Sequence, residues 1–475
     1  MGRTDPRRED QAGLTPVAEL VRRARAAQAE YARWPQERVD EAALACGWAI
    51  MKPENNRRLA ELAVRDSGLG NVADKIAKNH RKTLGLLRDI AGARTVGVIA
   101  QYPETGITEI ARPVGVVAAI TPSTNPGATP ANQIINAVKC GNAIILAPSP
   151  KGWRTCALLL EFIHGEFKKI HADPDLVQML PAPVTKESTY ELMREADLVA
   201  ATGSQANIRA AYSSGTPAIG VGMGNVVSIV DASADLADAA RKIAISKTFD
   251  NATSCSSENA VVILAPVYDA MLKELAKQGG AMLDAAGKAR LQEFMFPEGR
   301  LGSAATAQSA PRIAQLAGLS GEVLGNAGFL MVEESGTGPG HPFSGEKLSP
   351  VLAVYKAADF DAAFALTACI YEYQGKGHSV SIHTKDEAQP RRLGLELAVA
   401  RVIVNQAHAI ATGGSFDNGL PFSLSMGCGT WGGNSFSDNM HWRHFLNITR
   451  IARVIPERIP LEQEIFGGYF AKHGR

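Results

Sequence analysis

Apolar residues recur along the first hundred positions with the period of an amphipathic α-helix. Val17, Leu20, Val21 and Ala24 start this pattern, and they fall on one face of a helix with about 3.6 residues per turn. Trp34-Pro35 interrupts the pattern, which then resumes three more times. We therefore predict four helices. The first begins near residue 16, the second begins near residue 36, the third ends near residue 67, and the fourth runs from about 72 to 93.

Beyond these helices the pattern becomes typical of β-strands. The stretch VIAQYPETGITEIARP turns at Glu104-Thr105-Gly106 and predicts a hairpin over 98–112. After Pro113, short continuous apolar runs alternate with helical stretches, as in a parallel sheet that is covered on both faces. The predicted strands of this first, doubly wound sheet are PVGVVAAITP, NAIILAP, residues 176–180, DLVAAT and VVSIVD.

A second alternating series follows a long helix that is predicted to start at Asp235. Its predicted strands are NAVVILAP, AVYK, HSVSIHT and ARVIVN, and its predicted helices cover 267–277, 359–366 and 387–395. Two such series in 475 residues predict an α/β protein of two or three domains. The segment after Gly427 is rich in glycine and then in basic and aromatic residues, so it differs from both series.

The composition narrows the class of protein. The 49 lysines and arginines nearly balance the 48 aspartates and glutamates, which argues against a nucleic-acid-binding or membrane-surface protein. We find no apolar run long enough to span a bilayer and no signal peptide. The six cysteines lack a disulfide spacing, and without CxxC or HExxH a metal site has no support. We expect a cytoplasmic protein.

Cys255 differs from the other cysteines because its neighbours, in FDNATSCSSEN, are small and polar. A free cysteine is most often a small buried hydrophobe, and we interpret Cys46, Cys140, Cys156 and Cys369 in that way. Cys255 follows a helix at the junction of the two series, and ligands often bind between domains. Its thiol is either a buried side chain or a nucleophile, and the local sequence does not decide between them.

Three further segments have the composition of a ligand site, although each also suits an ordinary turn. Thr202-Gly203-Ser204 follows a predicted strand and opens a helix, where backbone N–H groups favour an anionic cofactor. Gly222 belongs to GVGMGN, which is not the spaced dinucleotide fingerprint. Asn125, in TPSTNPG, follows the first strand of the sheet, at the edge where ligands gather. Its amide is able to donate a hydrogen bond to a developing oxyanion.

Seven separated motifs, taken in order, resemble the aldehyde dehydrogenase superfamily. They are PVGVVAAITPSTNP, NAIILAPSP, ATGS, GVGMGNVVSIVD, FDNATSCSSENAVV, EKLSPVLAVYK and GCGTWGGNS. The resemblance starts near Val17 and continues to the C-terminus, and FDN…CSSE and GCGTWGGNS are most similar to the CoA-acylating branch. It implies a Rossmann-like NAD(P)-binding domain and an α/β catalytic domain with a small oligomerisation arm. The implied bounds are 1–14 for a disordered tail, 15–97 and 113–231 for the cofactor domain, 232–430 for the catalytic domain, and 98–112 with 431–475 for the arm and tail.

The resemblance also implies roles for individual residues. Cys255 becomes the catalytic nucleophile, and Asn125 and the Cys255 N–H become the donors to the oxyanion. Glu346 becomes the partner of the nicotinamide ribose, and the arm implies a homodimer or homotetramer. The cofactor-binding residues implied in this way are Thr121, Pro122, Ser123, Pro148, Ser149, Lys151, Arg154, Thr202, Gly203, Ser204, Gly222, Glu346 and Leu348.

One departure from the hydrolytic members concerns how the acyl group leaves Cys255. Those members carry a water-activating glutamate at the position that we match to Gly220. A general base is worth roughly 10² to 10⁴ in rate, so water should be a poor nucleophile here. Glu258 is close to Cys255 in sequence, but we interpret it as the start of a strand. We therefore predict coenzyme A as the co-substrate, with a hydrolytic aldehyde dehydrogenase and a non-catalytic relative as the alternatives.

Two further interpretations concern the cofactor and the aldehyde. NAD-using members carry a lysine where this chain has Ala147, whereas Lys151 and Arg154 begin the next helix. Basic groups there favour a 2′-phosphate, which predicts NADP rather than NAD. His441 and Arg443 add positive charge near the implied active-site mouth, and the overall pattern resembles acylating sulfoacetaldehyde dehydrogenases. We predict a short anionic aldehyde such as sulfoacetaldehyde; acetaldehyde, propanal and succinate semialdehyde are the alternatives.

Overall fold

The N-terminal part of the chain is helical. The computed structural model describes residues 14–475, and it begins with helices α1 Pro16–Tyr31, α2 Gln36–Met51, α3 Pro53–Ser67 and α4 Val72–Ile90. Thr15 caps α1 by accepting a hydrogen bond from the N–H of Ala18, and Gly68 ends α3 with a φ of 70°. The four predicted helices are confirmed, whereas residues 1–13 of the predicted tail lie outside the described residues.

An antiparallel hairpin follows these helices. Its strands are β1 Gly97–Tyr102 and β2 Ile107–Pro113. Gly106 adopts a φ of 66° at the turn, a left-handed conformation that glycine tolerates at low cost. The predicted hairpin is therefore confirmed.

The first large sheet has five parallel strands in the order β5-β4-β3-β6-β7. Its strands are β3 Val116–Thr121, β4 Ala143–Pro148, β5 Val177–Met179, β6 Leu198–Thr202 and β7 Ala218–Val221. The connecting helices are α5 Ala128–Lys139, α6 Trp153–Lys169, α7 Lys186–Glu195 and α8 Gln205–Tyr212. Every residue of β3 and β4 is buried, as expected for a parallel sheet covered on both faces.

The second large sheet has seven parallel strands in the order β10-β11-β12-β9-β8-β13-β14. Its strands are β8 Val226–Val230, β9 Glu258–Leu264, β10 Gly280–Met282, β11 Phe329–Glu333, β12 Val351–Ala357, β13 Val380–His383 and β14 Val402–Val404. The helices in this part of the chain are α9 Leu236–Thr248, α10 Tyr268–Lys277, α11 Ala285–Met295, α12 Ala310–Leu316, α13 Glu322–Gly325, α14 Phe360–Tyr373, α15 Ala388–Glu396 and α16 His408–Ala411. Two α/β units with parallel sheets confirm the predicted fold class.

The structure corrects the placement of one strand. VVSIVD was predicted to complete the first sheet, but β8 pairs with β9 and β13 in the second sheet. All five residues of β8 are buried, so their apolar run suits a central strand of either sheet equally well. The chain passes from one sheet to the other between Val221 and Val226, ahead of the predicted domain boundary at 231. Strands β7, β10 and β11 were not predicted.

The C-terminal segment returns to the hairpin. Strand β15 Leu446–Ala452 pairs antiparallel with β2, from Leu446 opposite Pro113 to Ala452 opposite Ile107. The resulting three-stranded sheet has the order β1-β2-β15, and α17 Glu462–His473 follows it. Several apolar side chains beyond β15 are exposed: Val454, Ile459, Leu461, Ile465 and Tyr469. Within residues 14–475, no helix combines the length and the apolar character that crossing a membrane requires.

Candidate active site

A cavity of about 480 Å³ lies where the carboxyl ends of strands in the first sheet meet the segment that holds Cys255. Thr121, Ser149 and Thr202 come from the ends of β3, β4 and β6 or directly after them, and they line one part of the wall. Cys255 and Ile410 also line the cavity. Ligands of open α/β sheets bind outside the carboxyl ends of the strands, so this cavity is the candidate active site.

The cavity brings together most of the predicted site residues. The predicted residues that line it are Thr121, Pro122, Ser123, Asn125, Ser149, Thr202, Gly203, Ser204, Gly222, Cys255, Glu346 and Leu348. The predicted residues that are not part of its lining are Pro148, Lys151, Arg154, His441 and Arg443.

Cys255 follows a segment of unusual backbone conformation. Asp250, Asn251 and Ala252 have φ values of 51°, 52° and 57°, which non-glycine residues rarely adopt in succession. Such conformations persist only where the surroundings hold them, and they cluster at functional sites. The Asp250 carboxylate supplies one such restraint, since it accepts hydrogen bonds from Lys75, Lys78 and the N–H of Asn71.

The Cys255 thiol lies next to an imidazole that the sequence analysis missed. Sγ of Cys255 is 3.4 Å from Nε2 of His378, and Nδ1 of His378 is 2.6 Å from Oγ of Ser379. If Nδ1 donates its proton to Ser379, Nε2 is an acceptor that faces the thiol. The two residues are 123 positions apart, and His378 carries no local motif, so only the fold brings them together.

Burial shifts the pKa of both groups toward their neutral forms. Burial raises the pKa of the Cys255 thiol, and the nearby Glu346 carboxyl raises it further. Burial also lowers the pKa of His378 well below its ordinary value, and the Arg401 guanidinium adds to this effect. Near pH 7 the pair is therefore a thiol beside a neutral imidazole, which can accept the thiol proton when an electrophile arrives.

Asn125 lies between β3 and α5 at the cavity wall. Its Oδ1 accepts a hydrogen bond from Nζ of Lys78 at 2.8 Å. No described residue accepts a hydrogen bond from its Nδ2, which leaves this donor for a ligand in the cavity. Asn125, the predicted oxyanion donor, therefore lines the same cavity as the Cys255 thiol.

Three unpartnered oxygen atoms test whether a nicotinamide dinucleotide fits this cavity. Within the described part of the chain, Oγ1 of Thr121, Oγ of Ser149 and Oε1 of Glu346 are buried without a hydrogen-bond partner, and all three residues line the cavity. Burial raises the pKa of Glu346 to about 8, which makes its carboxyl a donor near pH 7. These groups match the hydroxyl-rich and phosphate-rich surface of a dinucleotide.

The backbone beside these atoms leaves room for phosphate groups. Ser204 caps α8, whose first N–H groups have no helical acceptors, and the preceding Gly203 has a φ of 159°. A Cβ at Gly222 would lie 2.1 Å from Nε2 of Gln205, so a larger residue there would displace a side chain of the cavity wall. The residues present therefore fit the cofactor that the resemblance implies.

The structure corrects the interpretation of Gly220. Its N–H and its carbonyl both bond the hydroxyl of Tyr212, at 3.0 and 3.1 Å, and a Cβ there would meet Ile208 and Tyr212 at 3.1 Å. A side chain at 220 would start toward Ile208 and Tyr212 of α8, so the structure does not direct it at Cys255. The next residue, Val221, lines the cavity instead. Among the described lining residues, Glu346 carries the only carboxyl group.

The structure also corrects the prediction that His441 and Arg443 line the substrate site within one chain. Nε2 of His441 is 2.9 Å from Oδ2 of Asp438, and Arg443 stacks on Trp442 at 5.0 Å. The carbonyl of Trp442 accepts from the thiol of Cys140, which directly follows α5. Asn125 precedes the same twelve-residue helix, so roughly 18 Å of helix separates this cluster from the cavity.

Three cations of α4, Lys78, Arg81 and Lys82, line the cavity, and the sequence analysis missed all three. Arg81 donates to Oγ of Ser415 at 2.9 Å, and Nζ of Lys82 donates to the carbonyl of Gly413 at 2.5 Å. Across residues 14–475, no carboxylate forms an ion pair with either side chain, so their hydrogen-bond partners are neutral oxygens. Burial lowers the pKa of both groups, and for Lys82 the Arg81 and Lys78 charges contribute further. An anion bound here would offset the free-energy cost of burying these positive charges.

Comparisons with known proteins show the family of this chain. The sequence profile of the aldehyde dehydrogenase family matches residues 9–315. The chain is 64% identical to the acylating sulfoacetaldehyde dehydrogenase of Cupriavidus necator over 465 residues, which cover 98% of this chain and 94% of that protein. It is 41% identical to the acylating sulfoacetaldehyde dehydrogenase of Bilophila wadsworthia, covering 97% of this chain and 100% of that protein.

A solved structure has the same fold as this chain. The chain superposes on an acetylating aldehyde dehydrogenase from Geobacillus thermoglucosidasius with a TM-score of 0.90 and 34% identity. The match covers 94% of this chain and 98% of the solved chain. The predicted resemblance and the predicted fold class are thereby confirmed.

Proposed function

This chain belongs to the aldehyde dehydrogenase family, and we propose that it is a CoA-acylating member acting on a short anionic aldehyde. The reaction converts aldehyde, CoA and NAD(P)⁺ to acyl-CoA and NAD(P)H, and it is reversible. The observation that carries the proposal is the Cys255 thiol, which lines the same cavity as Arg81 and Lys82 and lies 3.4 Å from Nε2 of His378. The site therefore combines a nucleophile, its base and two cations that can bind an anion.

The first chemical step forms a bond between Cys255 and the aldehyde. His378 accepts the thiol proton, and the thiolate attacks the carbonyl carbon. The carbonyl oxygen becomes an oxyanion that receives hydrogen bonds from Nδ2 of Asn125 and from the N–H of Cys255. Burial of the site strengthens these bonds, because no bulk water competes for the oxyanion.

The second step removes a hydride from the substrate carbon. NAD(P)⁺, when bound, supplies the hydride acceptor, and Thr121, Ser149, Ser204 and Glu346 would hold it. Oγ of Ser149 and Oε1 of Glu346 are buried without a hydrogen-bond partner among the described residues, which supports this assignment. Loss of the hydride leaves a thioester on Cys255.

The third step transfers the acyl group to CoA. The CoA thiolate attacks the thioester carbon, the bond to Sγ breaks, and Cys255 leaves as a thiolate that regains its proton. A thiol reaches its reactive anion far more readily than water does, so CoA needs less help from a base. The cavity offers Glu346 as its carboxyl group among the described lining residues, and burial keeps that group largely protonated near pH 7.

The aldehyde is sulfoacetaldehyde in this proposal. Its sulfonate would bond Arg81, whose planar guanidinium matches three acceptor oxygens, and Lys82 beside it. Both cations lack a carboxylate partner within the described residues, which distinguishes them from the ion pairs on the protein surface. Acetaldehyde, propanal and succinate semialdehyde are the alternative substrates, and the first two carry no anionic group.

A panel of these four aldehydes, assayed with CoA and NADP⁺, tests the substrate. Replacing Arg81 by methionine should lower kcat/KM for sulfoacetaldehyde by about 10- to 100-fold, the usual cost of one charge-assisted hydrogen bond. The same change should alter kcat/KM for acetaldehyde by less than about threefold. Arg88→Met is the matched control, because Arg88 stacks on Phe422 as Arg81 does but does not line the cavity. Equal losses for both aldehydes would contradict the anionic substrate.

NADP⁺ is the preferred cofactor in this proposal. Lys151 and Arg154 are exposed just after Ser149, a residue of the cavity wall, and Arg154 has only a 3.4 Å contact with Asp66. Both are therefore free to meet a 2′-phosphate at the rim. The test is the ratio of kcat/KM for NADP⁺ and NAD⁺, which Lys151→Ala and Arg154→Ala should each move toward NAD⁺. A wild-type ratio that favours NAD⁺ would contradict it.

The protein is a cytoplasmic homodimer or homotetramer in this proposal. Support comes from the sheet β1-β2-β15 and from the exposed apolar residues that follow it, such as Val454 and Ile465. Exposed apolar surface of this kind marks interaction sites. Light scattering on the full chain and on a chain that ends after residue 452 should give an oligomer and a smaller species.

A further inference from the structure

We propose that Lys78 is a positioning residue that orients the amide of Asn125 for its role as oxyanion donor. Nζ of Lys78 donates three hydrogen bonds: to Oδ1 of Asn125 at 2.8 Å, to Oδ2 of Asp250 at 2.6 Å, and to Oγ1 of Thr253 at 3.1 Å. The side chain is 6% exposed, so it is held in a fixed environment. All three ammonium hydrogens are therefore used.

The chemistry of the ammonium group decides which way the amide of Asn125 faces. A protonated lysine donates and cannot accept, so the amide atom nearest to it must be the carbonyl oxygen. The opposite orientation would set an NH₂ group against a cation and would lose a charge-assisted hydrogen bond. With Oδ1 held by Lys78, Nδ2 remains for the cavity, where the substrate oxygen becomes negative.

Asp250 holds Lys78 in turn and links it to the nucleophile. Its carboxylate accepts from Lys75 at 3.0 Å, from Lys78 at 2.6 Å and from the N–H of Asn71 at 2.9 Å. Burial alone would raise the pKa of Asp250, but the Lys78 and Lys75 ammonium groups outweigh it and hold the pKa below its ordinary value. Asp250 is thus an anion, and it is also the first of the left-handed residues that precede Cys255.

This arrangement connects the two catalytic groups through one chain of hydrogen bonds. A carboxylate in the Cys255 segment fixes Lys78, and Lys78 fixes the Asn125 amide. Close packing supports it: a Cβ at Gly70, which has a φ of 73°, would lie 1.9 Å from Oδ1 of Asp250. We infer that a displacement of the Cys255 segment also changes the oxyanion donor, so the two groups keep their relative position during the reaction.

Lys78 differs from its neighbours on α4 in this respect. Arg81 and Lys82 bond only neutral oxygens and remain available to a substrate anion, whereas the three donors of Lys78 are all committed. A role in binding the anionic end of the aldehyde would change KM for that aldehyde. A role through Asn125 changes the chemical step instead.

The experiment is a double-mutant cycle on the full-length enzyme with Lys78→Met and Asn125→Ala. Single-turnover NADPH formation measures the hydride step, and steady-state assays give KM for sulfoacetaldehyde. Lys78→Met should slow the hydride step by about 10- to 100-fold, approaching the roughly 10² to 10³ loss expected for removal of an oxyanion donor. KM should change by less than about threefold. The double variant should be no more than about threefold slower than Asn125→Ala, because Lys78 acts through Asn125.

Lys75→Met is the matched control. It removes a second buried lysine from the same carboxylate, but Lys75 bonds the carbonyl of Thr124 and not the amide of Asn125. The fold-reduction in the rate of the hydride step caused by Lys75→Met should be at least about tenfold smaller than that caused by Lys78→Met. It should multiply with the fold-reduction caused by Asn125→Ala. A purely structural role for Lys78 predicts the same behaviour for both lysine variants, together with equal falls in Tm.

Two results separate this inference from the proposed function on which it rests. A wild-type enzyme without CoA-dependent aldehyde oxidation would contradict the proposed function itself. An active wild-type enzyme in which Lys78→Met and Asn125→Ala losses multiply would overturn the positioning role. If circular dichroism shows Lys78→Met to be unfolded, Lys78→Gln replaces it in the cycle, and the same multiplicative outcome overturns the role.

Discussion

Replacing His378 by alanine removes the group that we expect to take the proton of Cys255. Nε2 and Sγ are 3.4 Å apart, and the lowered pKa of His378 makes the imidazole a neutral base at pH 7. Because burial raises the pKa of Cys255, its spontaneous thiolate fraction falls well below the few per cent of a free cysteine. A positioned base is worth roughly 10² to 10⁴ in rate, so His378→Ala should lower kcat/KM for the aldehyde by about 10²-fold or more.

The pH dependence gives this prediction a second signature. Without the imidazole, thiolate forms only by ionisation to solvent, so the alkylation rate of Cys255 should rise about tenfold for each pH unit between 7 and 9. The wild-type rate should rise less steeply, because His378 already assists at pH 7. Iodoacetamide labelling of Cys255, quantified by peptide mass spectrometry, measures both profiles.

His383→Ala is the matched control for this experiment. His383 is buried at the end of β13, the strand that begins two residues after His378, and it does not line the cavity, so its loss should change the alkylation rate by less than about threefold. An His378→Ala enzyme that alkylates and turns over within about threefold of wild type, with an unchanged pH profile, would refute the assignment of His378 as the base.

Three other changes test separate parts of the site. Asn125→Ala should cut kcat by about 10² to 10³ and leave the Kd for NADP⁺ nearly unchanged, because it removes one oxyanion donor; isothermal titration and single-turnover kinetics measure both. The pKa of Glu346 is raised from 4.5 to about 8, so its protonated form favours the fold and its contribution is lost as pH rises through about 8. Glu346→Gln should therefore gain stability relative to wild type between pH 5 and pH 9, by about 3 to 5 kcal/mol at most, in urea unfolding. Gly220→Glu should lower Tm without any CoA-independent acid formation, whereas Val221→Glu, on the cavity wall, should raise acid formation; the opposite pattern would restore the sequence interpretation of Gly220.

The sequence predicts the regular elements well where the periodicity is strong. The four N-terminal helices follow from apolar spacing, and β3 and β4 follow from continuous apolar runs that suit strands buried on both faces. The sheet to which β8 belongs does not follow, because its buried run carries no information about its neighbours. Strand β10 has only three residues, too few for a periodic pattern.

The site residues also fall into two groups: those that short sequence motifs identify and those that only the fold brings together. Cys255, Asn125 and the residues after β6 belong to short motifs, so resemblance finds them. His378 is 123 residues from Cys255, and no spacing rule connects them. Arg81 belongs to a polar helix face, and a sequence pattern does not distinguish a face toward solvent from a face toward a cavity.

The error at Gly220 has a different physical cause. Side chains of a strand alternate between the two faces of the sheet, so neighbouring residues of β7 face opposite sides. Gly220 contacts the hydroxyl of Tyr212 on α8, while Val221 lines the cavity. The conclusion that CoA accepts the acyl group now rests on the composition of the cavity wall and not on position 220.

Mass spectrometry of Cys255 during turnover shows whether this cysteine carries the acyl group. The enzyme is mixed with sulfoacetaldehyde and NADP⁺ in the absence of CoA, stopped in acid, and mapped by peptide. We expect one equivalent of NADPH, an acyl group on Cys255, and quantitative transfer of that group to CoA when CoA is added. Free acid formed at the same rate with or without CoA, or an enzyme whose Cys255 is never acylated, would contradict it.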